Sequence, residues 1–300
     1  MYAKINNLSQ ICFAKQMQFT TGKEKGQNVI LVYNGKLLFE VLVDKCLDIA
    51  TFQHEGVNIG FISANGLDGR KDEFVNVFNG GLLYTCGLDV IGGRRVPFHG
   101  RIHNIPARLE SLVVNEEGVT IVGEMEQTSL FGDKLVLRRT IKTAINSGTV
   151  EVSDVIKNVG YKDAEYCLLY HTNIGYPMLD AGAKLKAPIT FTRGYSSFDD
   201  EKIENFENME EPLYEQEILF DHRLAKGEVE LTNEKLGKKV KVEYDEKVMP
   251  YMAEWKSMVK GDYALGIEPG TAHLGKDFAT KTLKPSESAN FFLKVSVENL

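Results

Sequence analysis

The stretch "NVILVYNGKLLFEVLV", residues 28–43, decides the fold. Two apolar runs dominated by β-branched and aromatic residues flank Asn34-Gly35. Such side chains suit a pleated, half-buried surface. Asn-Gly is the dipeptide that most readily supplies two adjacent positive-φ positions, so the spacing predicts a tight antiparallel hairpin. The same grammar recurs downstream. "KLVLRRTIKTA" and "TVEVSDVIKN" flank "INSG" at 145–148, while "GKKVKVEYD" (237–245) and "ANFFLKVSVENL" (289–300) alternate with period two. Helical signal is poor: the acidic "EKIENFENMEEP", 201–212, is short, ends in Pro and reads as a solvated loop or one helical turn. With no internal repeat and no shift in composition, the expectation is all-β: one antiparallel domain over residues 1–300.

Composition limits the functions open to such a chain. The 300 residues are 43% hydrophobic and 26% charged, enough for a substantial core. The net charge of −7 argues against nucleic acid as a partner, because phosphate binding needs a basic surface. "MYAKINNLSQ" lacks the basic and apolar segments of a secretory signal, and no apolar run approaches the ~18 residues that span a bilayer. Cys12, Cys46, Cys86 and Cys167 are too scattered for a disulfide framework or a C-x-x-C motif. The expectation is a cytoplasmic protein with reduced thiols and no membrane partner.

Three segments carry polar groups that strands do not need. In "HGRIH", His99, Arg101 and His103 lie two residues apart and, on an extended strand, share one face. An edge strand with its polar face in water, a metal site, and a sugar or anion site are all compatible with that row. Gly100 and Pro106 work against the helix on which paired metal-binding histidines usually sit, so no metal is expected. In "YHTNIGYPMLD", 170–180, His171 and Asn173 again alternate on one face, and Asp180 reads as a turn residue. A lone His is more often a hydrogen-bonded structural group than a catalyst. In the third segment, Trp255 and Lys256 are followed by Glu268 inside "YALGIEPGT". Burial there raises a carboxyl pKa unless donors hold the ionised form, and an ion-pair partner is the competing reading. An imidazole and a carboxylate together make a proton donor and acceptor. No phosphate-cradling glycine motif and no G-x-S-x-G nucleophile is present, and Cys86 reads as a packed thiol.

Taken in order, "FNGGLLYTCGLD", "HGRIHNIPA", "YHTNIGYPMLD", "MPYMAEWK" and "YALGIEPGT" resemble an uncharacterised branch of the aldose 1-epimerase (galactose mutarotase-like) superfamily over nearly the whole chain. That resemblance implies a large antiparallel β-supersandwich with a carbohydrate cleft, no cofactor, and a small-molecule sugar as partner; a homodimer is compatible with the sequence. It implies a sugar-binding role for His99, a general acid in His171 and a general base in Glu268, on opposite sides of the sugar. Arg101, Asn173 and Lys256 are expected to bind hydroxyls or a charged substituent. Trp255 either stacks on a pyranose or fills the core. The family's early Asn-Arg motif has no convincing match, since Arg70 lies in the loop-like "DGRKDE", and Arg101 sits at a different offset from the arginine of relatives that take phosphorylated hexoses. A non-catalytic sugar-binding protein and a different sugar isomerase or lyase remain alternative readings on the same fold.

Overall fold

A computed structural model describes residues 4–70, 72–92, 97–195, 206–213, 217–274 and 278–300. Two large antiparallel sheets face each other. From edge to edge the larger runs Phe13–Gln18, Asn28–Tyr33, Leu37–Leu42, Asp48–His54, Leu83–Leu88, Ala164–Ile174, Asp262–Gly270, Tyr251–Val259, Ile218–Leu224 and Ile189–Tyr195, with Val57–Asn58 paired to Asp48–His54 and Lys281–Leu283 to Ala164–Ile174. The smaller runs Lys184–Lys186, Glu228–Asn233, Lys238–Tyr244, Ser288–Asn299, Thr149–Asn158, Lys134–Ala144, Gly118–Thr128 and Arg108–Asn115. The only α-helix among the described residues is the single turn Phe74–Val77. None of the described helices is long and apolar enough to cross a membrane.

Burial follows from the layering. Strands of the smaller sheet alternate buried and solvated positions, as Lys134–Ala144 and Thr149–Asn158 do. Central strands of the larger sheet are covered on both faces: Leu83–Leu88 is buried throughout, and so is Ala164–Ile174 but for Glu165. Alternate residues therefore feed two cores. Leu168, Tyr170, Leu265 and Ile267 pack between the sheets, whereas Tyr84, Cys86, Cys167, Leu169 and Ala264 pack on the outer face. All four cysteines are buried thiols.

The first hairpin forms at Asn34-Gly35, but only Gly35 takes positive φ, at 102°. Asn34 avoids it by turning its own carboxamide into the loop, where Oδ1 accepts from the amides of Lys36 and Leu37. Its Nδ2 donates across the sandwich to Thr143 Oγ1 (2.6 Å), Ala144 O and Ser147 O, locking this hairpin to the 145–148 turn. In the acidic 201–212 segment, residues 201–205 lie outside the described residues. The remainder is irregular, not helical, and Met209 is buried because its amide donates to Ala183 O.

A buried ion cluster bolts the sheets together beneath the central strands. Arg139, fully buried, donates through Nε and Nη2 to Asp154 (2.9 and 2.7 Å), through Nη1 to Asp48 (2.8 Å) and Cys46 O, and through Nη2 to Thr85 Oγ1. Tyr170 donates to Asp154 at 2.9 Å. Thr85 and Tyr170 pair across neighbouring strands, next to Tyr84 and His171, which pair on the opposite face. The cluster thus fixes the backbone from which the outer face is built.

Candidate active site

The outer face of the larger sheet carries a cavity of about 480 Å³. Its floor is written by register. Thr172 pairs with Ile267 and Asn173 with Gly266, which sets His171 directly across from Glu268. Directly opposed residues on adjacent strands share a face, so both side chains enter the cavity. His171 Nε2 lies 3.1 Å from Glu268 Oε1. The contact is close but not aligned as a hydrogen bond, and Oε1 is a buried oxygen with no hydrogen-bond partner among the described residues. Room for the carboxylate comes from Gly266, two residues back on the same face: a Cβ there would stand 2.3 Å from Oε1.

The walls are aromatic. Trp255 stands edge-on to the His171 ring and Phe78 lies tilted against it, with centroids at 5.5 and 5.4 Å, while Phe61 meets Trp255 and Phe74 meets His99. Ser63, Asn65, Glu217, Ser257 and Asp262 add polar atoms. Several of these donors are already committed to backbone carbonyls: Ser63 Oγ and Asn65 Nδ2 to Phe78 O, and Ser257 Oγ to Asp262 O.

Burial governs the electrostatics. It pushes His171 down to about 4, only partly opposed by the hydrogen bond with Asn173, and it pushes Glu268 well above the usual carboxylate range. His99 is driven well below its ordinary value by burial and by the neighbouring His171 and His103. The Gly92 amide donates to His99 Nδ1 at 3.3 Å, so the His99 proton sits on Nε2.

Of the residues singled out in the sequence, His99, His171, Trp255 and Glu268 line this cavity, and Arg101, Asn173 and Lys256 do not. The expected row of His99, Arg101 and His103 is not extended. His99 (φ 62°) and Gly100 (φ 78°) turn through the left-handed region into the short 3-10 helix Ile102–Asn104. A Cβ on Gly100 would stand 2.3 Å from Gly87 O, so only glycine fits the turn. The three side chains scatter as a result. Arg101 pairs with Asp89 at 2.6 Å with half its side chain in solvent, and His103 packs tilted against Tyr84, centroids 4.5 Å apart. Lys256 follows Trp255 on one strand and must point to the other face. There its ammonium donates to Asn208 O (2.8 Å) and meets Glu210 (3.2 Å). Asn173 is fully buried beside His171 and holds that ring instead of facing the cavity.

The sequence reading missed the cage of Phe61, Phe74, Phe78 and Phe98, although the i, i+4 spacing of Phe74 and Phe78 marked a shared face on a helical turn. It also gave His222 no role. That residue forms a second imidazole–carboxylate contact with Glu254 (3.0 Å), but on the reverse face and away from the cavity. Tyr176 is exposed, and Arg70 grips Asp68 (2.6 Å) on a loop, both outside the cavity lining. Among the described residues no group of three or more His, Cys, Asp or Glu is placed to hold a metal.

The chain belongs to the family described as a domain of unknown function (DUF4432), whose model matches residues 24–297. Comparison with curated proteins finds no match. Among solved structures, a candidate aldose 1-epimerase from Klebsiella pneumoniae superposes with a TM-score of 0.84 at 20% identity, over 95% of this chain and 83% of that one. A galactose mutarotase-like protein from Clostridium acetobutylicum gives 0.70 at 14% identity, covering 97% and 100% of the two chains. Another from Lactobacillus casei gives 0.63 at 12%, covering 90% and 100%. The fold is therefore the galactose mutarotase-like sandwich.

Proposed function

We propose that this protein interconverts the anomers of an aldose by acid–base ring opening and closure. The observation that carries the reading is the His171–Glu268 contact: a buried imidazole and a buried carboxyl 3.1 Å apart, with Oε1 unpartnered, on the floor of a cavity the size of a small-ligand site. An unsatisfied buried oxygen costs about 1–3 kcal/mol, and a sugar hydroxyl beside the pair that hydrogen-bonds Oε1 offsets that cost.

The chemistry needs two proton movements around one carbon. A proton leaves the C1 hydroxyl, another reaches the ring oxygen, the bond from C1 to the ring oxygen breaks and a C1 carbonyl forms. Rotation about C1–C2 and the reverse transfers close the ring on the other face. Both oxygens are bonded to C1, so the partners need not stand on opposite sides of the sugar: two groups in contact reach both. Each transfer is worth about 10²- to 10⁴-fold. Trp255, Phe61 and Phe78 present apolar surface to a pyranose face and keep water from the reacting carbon. His99, with its proton on Nε2, donates to a hydroxyl.

Anomer exchange followed by NMR across neutral, acidic and phosphorylated aldoses tests the proposal. The expected result is acceleration with at least one sugar, cut about 10²- to 10⁴-fold in Glu268→Gln while sugar binding persists. Binding without acceleration across the panel makes the protein a sugar sensor instead. A product distinct from both anomers makes it a different sugar enzyme.

A further inference from the structure

We propose that Asn173 is a positioning residue: its amide, anchored on two backbone carbonyls, keeps a proton on His171 Nδ1 and leaves Nε2 as the one nitrogen that trades a proton with Glu268. The inference builds on the reading of His171 and Glu268 as the reacting pair.

The argument is geometric. Asn173 Nδ2 lies 3.0 Å from Gly81 O and 3.0 Å from His171 O. Carbonyl oxygens only accept, so both contacts require the NH₂ group on that side of the amide. The remaining atom, Oδ1, then faces His171 Nδ1 at 2.5 Å. An amide oxygen also only accepts, so Nδ1 must carry the proton. Asn173 is fully buried and its strand neighbours are paired, so the amide cannot turn over without stranding two carbonyls. In the neutral ring Nε2 is bare. It faces Glu268 Oε1 at 3.1 Å, and burial favours the neutral carboxyl, which places the mobile proton on Glu268.

The pair then holds one working proton. When it moves, the Glu268 O–H bond breaks, an N–H bond forms on Nε2, and a carboxylate–imidazolium pair of zero net charge replaces two neutral groups. One of the two is always an acid and the other a base, as anomer exchange requires in both directions. Among the described residues, the titratable groups facing His171 from neighbouring elements are Glu268, His99 and Tyr84, with His103 tilted against Tyr84 and Glu217 and Asp262 elsewhere in the cavity lining. The described lining contributes no lysine or arginine.

Side-chain ¹⁵N NMR of His171 in the wild-type protein reads the tautomer directly. The expected spectrum has a protonated Nδ1 and a bare Nε2 at neutral pH. A proton on Nε2 with Nδ1 bare overturns the proposal whether or not any sugar is turned over, which separates this failure from that of the activity. In Asn173→Leu the Nε2–H tautomer should appear and kcat fall about 10²- to 10⁴-fold with KM little changed, because Asn173 is outside the cavity lining. Asn173→Asp, which keeps an acceptor on Nδ1–H and adds a charge favouring imidazolium, should retain more activity than Asn173→Leu and shift the acid limb of the pH profile to higher pH. Folded variants with wild-type kcat and an unmoved acid limb refute the assignment.

Discussion

Gly266→Ala is the sharpest perturbation the site offers, because it adds one methyl group and removes nothing. The new Cβ would stand 2.3 Å from Glu268 Oε1, 2.9 Å from Trp255 Cβ and 3.2 Å from Glu268 Cδ. Carbon–oxygen contacts settle at about 3.3 Å or beyond, so the carboxylate must retreat by about 1 Å. Its side chain is flexible and yields, whereas the strand pair at Trp255 moves by a few tenths of an ångström. The backbone at Gly266 is not in the left-handed region, so no conformational strain adds to the clash. Overpacking of about 1–3 kcal/mol is partly offset by the 0.5–1 kcal/mol or so that alanine gains over glycine in a strand. The protein should therefore stay folded, with a melting temperature lower by a few degrees. Catalysis should suffer far more, since a 1 Å misplacement of a reacting group costs on the order of 10²-fold. Anomer exchange by NMR on the best sugar of the panel, beside a thermal melt and a structure of the variant, measures all three quantities. A variant that turns over at the wild-type rate with its carboxylate displaced refutes the role given to Glu268. One whose carboxylate has not moved refutes the packing argument.

Two further outcomes test how the site is supported and bounded. Arg139→Met leaves Asp48 and Asp154 buried without their cation and should cost about 3–5 kcal/mol in urea unfolding, with Asp154→Leu added to it restoring part of the loss; a change under 1 kcal/mol would mean that the cluster does not clamp the sheets. Arg101→Ala removes a half-exposed ion pair and should leave turnover within about twofold and stability within about 1 kcal/mol, and a large rise in KM would return Arg101 to the substrate.

What could be read without coordinates was whatever depends on local periodicity. The hairpin at 34–35 and the alternation through 134–158 are set by side-chain preference and turn chemistry within a few residues. The same parity placed His171 and Asn173 on one face, correctly. Applied to Trp255 and Lys256 it would also have separated them, because adjacent strand residues cannot share a cavity. That error was legible in the sequence. The misplacement of Arg101 was not, since the bend at His99 and Gly100 is imposed by the approach of Gly87 O from another strand.

The sequence by itself determined the hairpin strands with their alternating faces, which follow from preferences of near neighbours along the chain, and it displayed the residue types able to move protons. Tertiary structure alone decided that His171 meets Glu268 and that Asn173 serves the imidazole instead of a sugar. The first depends on the register between strands almost a hundred residues apart, where a slip of one position would send every side chain to the other face, and the second on the Gly81 carbonyl that anchors the amide. The aromatic cage has the same origin: Phe61, the Phe74–Phe78 turn and Phe98 come from separate segments that only packing brings around one ring system.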